Sequence, residues 1–202
     1  MLLLVTDVGL SGSPSIVVVA GPNGAGKSTL APFLLRDALA VLEFVNADQI
    51  AGGLSGFHPE SVAVAAGRLM LARLAELARQ RVSFGFETTL ASRSFAPWLR
   101  ARIADGYSVQ IVFLWLASPE IALARVAGRV ARGGHMVPDA VVRRRYAAGL
   151  RNFFGLYQPI ATTWWVYDAN GVGPPRLMAR GAEGGIRVLD PGVWPEIVRQ
   201  WS

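Results

Sequence analysis

Ile16-Val17-Val18-Val19-Ala20-Gly21-Pro22-Asn23-Gly24-Ala25-Gly26-Lys27-Ser28-Thr29 is the stretch whose reading decides the fold. Its first five residues are apolar without alternation, and four of them are β-branched, which reads as a strand buried on both faces. Gly21, Gly26, Lys27 and Ser28 then fall at the spacing G-x-x-x-x-G-K-S. Glycines at these places permit a tight loop whose backbone N–H groups converge on one point. A helix starting at Lys27 adds the positive end of its dipole. A strand before such a loop and a helix after it form the context in which the motif cradles phosphate.

The expected ligand is ATP with Mg²⁺. Gly21, Pro22, Asn23, Gly24, Ala25, Gly26, Lys27, Ser28 and Thr29 form the cofactor-binding loop. Lys27 reaches between the β- and γ-phosphates, and the Ser28 hydroxyl is the metal ligand.

Composition agrees with an intracellular phosphate binder. The chain has 202 residues, 52% of them apolar, enough for one domain with a sizeable core. It contains no cysteine, which excludes disulfides and thiolate metal sites and fits a cytoplasmic location. The net charge of +6 is carried by nineteen arginines and one lysine, and that lysine is Lys27. Guanidinium forks suit phosphate oxygens. Residues 1–14 read as a flexible leader, and no stretch is long and apolar enough to span a bilayer. Residues 15–202 read as a single domain.

Outward from the loop, the pattern alternates. A helix is expected from Lys27 to about Ala40, a strand from Val41 to Ala47 ending at Asp48, and a helix over Pro59–Arg81. A strand over Val82–Phe86 ends at Glu87, and a helix covers Arg93–Ala104. A central strand spans Tyr107–Leu116, followed by a helix from Ser118-Pro119-Glu120 to about Ala131. A further helix spans Pro138–Phe153, and the last core strand is Thr163–Tyr167. Leu177–Arg180 and Ile186–Leu189 suggest a small C-terminal hairpin. The fold class is α/β, a three-layer P-loop NTPase or kinase fold with about five mostly parallel strands flanked by helices. The lid region is placed at about 118–153.

Three further groups carry candidate chemistry. Asp48 sits where a strand is expected to end, the edge at which open parallel sheets bind ligands, so it is a candidate general base. As an alternative, an aspartate there caps a helix. Glu87 and Thr88 close another strand in the same way, and Glu87 either orients an acceptor or stands in the metal's outer shell. Arg125, Arg129 and Arg132 are spaced by four and three, placing them on one helix face. Three adjacent cations call for an anion between them, which ATP phosphates supply. His135 lies at the joint between the two lid helices and is a candidate substrate contact. No aromatic–basic repeat of the kind used to bind single strands is present, so nucleic acid is not the expected partner.

Taken in order, GPNGAGKST, NADQIA with HPE ten residues after its aspartate, FETTL, and the R-V-x-x-R-V-x-x-G-G-H-x-V-P run followed by RRY resemble the zeta-toxin-like P-loop kinases. The nearer resemblance is to their short branch, often labelled predicted ABC-type ATPases. It covers Ile16 to Asp168. The resemblance implies transfer of the ATP γ-phosphate to a hydroxyl, with UDP-N-acetylglucosamine or another nucleotide sugar as acceptor, and a small antitoxin protein as partner. It assigns Asp48 as base, Glu87 and Thr88 to the substrate side, and Arg125 or Arg129 as the first transition-state arginine. The family's second arginine lies three residues before a proline, where this chain has His135 before Pro138. Either Arg132 or one of Arg143 to Arg145 stands in for it, or the chemistry differs. An ABC mechanism is excluded, because no apolar strand ends in Asp-Glu.

Overall fold

The computed structural model describes residues 12–56, 58–134, 136–182 and 185–201. Most of the expected leader, residues 1–11, and His135 lie outside the described residues. Strand β1 (Ser15–Ala20) is buried along its whole length and lies inside the sheet. Around it lie β2 (Glu43–Val45), β3 (Phe84–Thr88), β4 (Ser108–Trp115), β5 (Thr163–Asp168), β6 (Arg176–Ala182) and β7 (Gly185–Val188). These seven strands form one sheet in the order β2-β3-β1-β4-β5-β6-β7. The first five in that order are parallel, as expected. The C-terminal hairpin is not detached: β6 pairs antiparallel with β5, and β7 with β6.

Helices cover both faces, giving the three layers. On one face, α3 (Ala63–Gln80), α4 (Phe95–Ala104) and α7 (Trp194–Trp201) bury Leu74, Leu77, Leu99 and Ile197 against Phe84, Phe86 and Phe113. On the other, α1 (Lys27–Ala31) and α5 (Pro119–Val130) lie over Val17, Val19, Val112 and Leu114, with Ala31, Ala122 and Val126 buried there. Helix α6 (Asp139–Asn152) serves both faces, with Val142 and Tyr146 on one and Leu150 on the other. Among the described residues no helix is long and apolar enough to cross a membrane.

Three expectations are corrected. The helix after the loop is not regular to Ala40. It is α-helical only to Ala31, then widens into a π-helical stretch over Pro32–Ala38, closed by the Leu39 N–H on the Leu34 carbonyl. Pro32 has no N–H to continue the ladder, and a wider turn accommodates it. The helix expected from Pro59 begins at Ala63, after one tighter 3₁₀ turn over Pro59–Val62.

The third correction concerns Asp48. The strand expected over Val41–Ala47 is only Glu43–Val45, an edge strand with three paired positions. Asp48 therefore does not end a strand. It lies in the first turn of α2 (Ala47–Leu54), whose N-cap is Asn46: the Asn46 Oδ1 accepts from the Asp48 and Gln49 N–H groups. A carboxamide at this position satisfies the first free N–H groups of the helix and starts it before the strand can lengthen.

Helix α6 presses directly on the loop after β3. A Cβ on Gly149 would overlap the Thr89 carbonyl oxygen, whereas one on Gly155 meets nothing within 4 Å. Gly149→Ala should therefore cost about 1–3 kcal/mol, as overpacking does, and lower the melting temperature by several degrees. Gly155→Ala should leave it unchanged or raise it.

Candidate functional site

The parallel register sets the site. Val19 of β1 pairs with Glu87 of β3, and Ala20 with Thr88, so both chains leave the sheet at one level. The loop after β1 then turns over the sheet edge beside Glu87. Gly21 has φ of +139°, and a Cβ there would overlap the Leu114 carbonyl of β4. Gly24, at φ +77°, would bring a Cβ to 3.0 Å from both the Ala122 carbonyl and the Arg125 Cβ on α5. The loop is thus held between the sheet and the lid helix at a distance only glycine allows.

Glu87 is the hub. Its Oε2 accepts hydrogen bonds from the Ser28 hydroxyl at 2.7 Å and the Asn46 side-chain amide at 2.8 Å. Its Oε1 stands 3.7 Å from the Lys27 ammonium, and the two side chains are 6% and 10% exposed. Lys27 also donates to the Pro22 carbonyl at 3.0 Å, across its own loop. Asn46 has two duties: its oxygen caps α2 and its nitrogen holds Glu87. The sequence reading singled out Asp48 and missed Asn46; the signal was an Asn directly before a helix start. Thr88 is used locally, its hydroxyl accepting from the Leu90 N–H where the chain turns with φ of 55°.

Burial pushes the Lys27 amine below its ordinary 10.5. The charges of Glu87 and Asp48 oppose that shift, and Arg129 reinforces it. Stability linked to this group is complete above the ordinary value and is lost as pH falls through the lower folded-state value, where the buried amine takes up its proton.

A cleft of about 580 Å³ opens above this hub, lined by Lys27, Ser28, Asp48, Glu87, Arg129 and Arg132 among others. Arg132 lies just past the end of α5, in the turn before Gly133-Gly134. All three lid arginines line this cleft. Arg125 is in addition bound by main-chain carbonyls. Its Nη1 donates to the Ala169 carbonyl at 2.7 Å and reaches the Gly24 carbonyl at 3.5 Å, and its Nη2 donates to Asn170 at 2.8 Å and Gly171 at 3.2 Å. Of the neighbouring arginines, Arg143 pairs with Glu120 at 2.7 Å.

Thr29, Gly26 and Arg125 also line a second cavity of about 460 Å³. Leu30, Phe33, Ala169, Pro174 and Pro175 make it largely apolar. The sequence reading did not assign it; its only trace is the glycine- and proline-rich run directly after the last parallel strand.

Among the described residues no cluster of three or more His, Cys, Asp or Glu is suited to hold a metal ion. Mg²⁺ bound with phosphates does not need such a cluster. It takes one or two hard oxygen ligands from the protein and completes its octahedron with phosphate and water. The Ser28 hydroxyl, with the Glu87 carboxylate 2.7 Å behind it, fits that demand.

This sheet order, loop and cleft define a P-loop protein of the kinase-like kind. A family profile described as an AAA domain matches residues 16–152, and the chain belongs to that family. An uncharacterized protein of Haemophilus influenzae is 30% identical over 130 residues, which is 64% of this chain and 91% of the relative. One chain of the AvrRxo1-ORF1:AvrRxo1-ORF2 complex crystallised with ATP superposes at a TM-score of 0.76 and 17% identity, over 92% of this chain and 63% of that one. The present chain thus spans less than two thirds of the length of that protein. A chain of the PezAT chromosomal toxin–antitoxin system of Streptococcus pneumoniae superposes at 0.59 and 14% identity, over 78% of this chain and 69% of that one. At these identities the likeness is one of fold.

Because Lys27 is the only lysine, lysine labelled with ¹³C at Cε gives one side-chain titration curve. Its midpoint should lie below 10.5 and move lower still in Glu87→Gln, which removes the opposing charge. A midpoint that rises in the variant would contradict the assigned geometry.

Proposed function

We propose that the protein is an ATP-dependent kinase of the zeta-toxin-like kind, which transfers the γ-phosphoryl group to a hydroxyl of a small acceptor. A nucleotide sugar such as UDP-N-acetylglucosamine is the acceptor class that the sequence resemblance favours. One observation carries the reading. The Ser28 hydroxyl and the Lys27 ammonium converge on a single half-buried carboxylate, Glu87, in a cleft that Asp48, Arg129 and Arg132 also line. A phosphate loop with a carboxylate on the metal side, a second carboxylate within the same cleft and cations above it has the parts of a phosphoryl-transfer site.

In this reading the N–H groups of Gly21 to Ser28 and the Lys27 amine bind the β- and γ-phosphates. When bound, Mg²⁺ would be held by the Ser28 hydroxyl, which Glu87 orients, and would neutralise charge on the phosphate oxygens. Asp48 accepts the proton of the acceptor hydroxyl as its oxygen bonds to the γ-phosphorus and the bond to ADP breaks. Arg129 and Arg132 stabilise the phosphoryl group in transit. Residues 15–202 act as one domain, with 118–153 as the lid. Thr88 and His135 belong to the acceptor side, the location is cytoplasmic, and a small antitoxin is the expected protein partner. A solved relative in fold comes from a toxin–antitoxin system, in accord with that partner.

A transfer assay read by mass spectrometry, with ATP·Mg²⁺ and a panel of nucleotide sugars, tests this directly. Wild type should add one phosphate to a panel member. Asp48→Asn should reduce the rate by roughly 10²–10⁴-fold with nucleotide affinity retained, the range removed with a general base. Arg129→Ala or Arg132→Ala should lower it by about 10³-fold, toward the low end of the arginine-finger range. An Asp48→Asn protein of full activity sinks the base assignment. Tight ATP binding with no transfer to any panel member is the outcome expected of a nucleotide switch read by a partner protein.

A further inference from the structure

Arg125 was expected among the lid arginines that meet the phosphates, one helical turn before Arg129. The structure assigns it another task. We propose that Arg125 is a positioning residue that builds the cavity for the nucleobase and ties it to the phosphate loop, and that it is not a phosphate ligand. The inference rests on the ATP reading given above.

A guanidinium has five N–H donors. In Arg125 both terminal nitrogens are occupied by main-chain carbonyls: those of Ala169, Asn170 and Gly171 after β5, and that of Gly24 in the phosphate loop. These carbonyls are not those of one helix or strand. They belong to two loops far apart in sequence, 101 and 44 to 46 residues from Arg125. Loop residues with unpaired carbonyls near a cleft need a donor, and here one half-buried fork supplies it for three successive residues. A side chain so engaged has only Nε left to offer an anion.

What the fork holds in place is the wall of the 460 Å³ cavity. Ala169 and Gly171 line it, as do Leu30 and Phe33 from the opposite side and Pro174 and Pro175 beyond. Arg125 lines both this cavity and the 580 Å³ phosphate cleft, so it stands at their junction. A flat heteroaromatic ring attached through a sugar to phosphates in the cleft is the ligand that fits an apolar space continuous with a phosphate loop. The loop is braced from its other side by Asn170, whose side chain accepts from the Ala117 N–H at 2.8 Å and donates to Asp168. Asn170 faces neither the cleft nor the phosphate loop through these bonds, and offers an independent handle on the same wall.

A phosphate ligand and a strut for the base cavity predict different losses. Calorimetric titrations of wild type, Arg125→Lys and Asn170→Ala with ATP·Mg²⁺ and with inorganic tripolyphosphate separate them. Lysine keeps the charge but cannot span three carbonyls. The expected result is a loss of at least about tenfold in ATP affinity in both variants, the scale of one or two lost hydrogen bonds to a charged group. Tripolyphosphate affinity should stay within about twofold of wild type, which also certifies that the variants fold. If Arg125→Lys loses ATP and tripolyphosphate alike, or loses neither, the assignment is overturned. Wild-type protein that binds neither ligand instead removes the ATP reading itself.

Discussion

An ammonium group buried beneath a tight loop is the constraint on which this structure turns. Lys27 has lost most of its water, and a buried charge without a partner costs several kcal/mol. Two oxygens meet that demand: the Pro22 carbonyl within the loop and the Glu87 carboxylate on the neighbouring strand. The second requires β3 to lie beside β1, in parallel and in one register, although 59 residues separate Ser28 from Glu87. The strand order is thus bound up with the local electrostatics of one side chain. Glu87 in turn fixes Asn46, and Asn46 starts the helix that carries Asp48. Charge, cap and sheet register form one connected arrangement.

That connection explains which parts of the molecule can be read from the chain and which cannot. The parallel strands are visible because each central one is a continuous apolar run, as in Ile16–Ala20 and Val109–Leu114, and a sheet covered on both faces permits no alternation. The phosphate loop is visible because its glycines and lysine are fixed by local geometry. β2 is not visible in its true length. It is an edge strand, Glu43 is exposed, and the competing helix start at Asn46 depends on a carboxamide rotamer that composition does not reveal. The break at Pro32 follows from the ring itself and is open to prediction; the wide turn that absorbs it depends on how Leu34 and Leu35 pack against the sheet.

The arginines show the same boundary more sharply. Helical spacing does place Arg125 on a face with Arg129, and Arg132 follows in the turn that continues it. Nothing in that spacing discloses that carbonyls from a loop 44 residues onward would reach the first of them. Glu87 is a milder case. Its position at a strand end is legible; the Ser28 hydroxyl that it meets at 2.7 Å, 59 residues away in sequence, is not.

The cavity beside the phosphate loop has a consequence for how such a protein diverges. Its outer wall, from Ala169 to Pro175, follows the last parallel strand and contributes no residue to the Lys27–Glu87 hub. Insertions, deletions and substitutions in this short connector can accumulate over generations without touching the residues that grip phosphate. On the proposed reading of the cavity, lineages sharing one ancestral phosphate grip can in this way drift toward different ring systems, with selection acting on the connector alone.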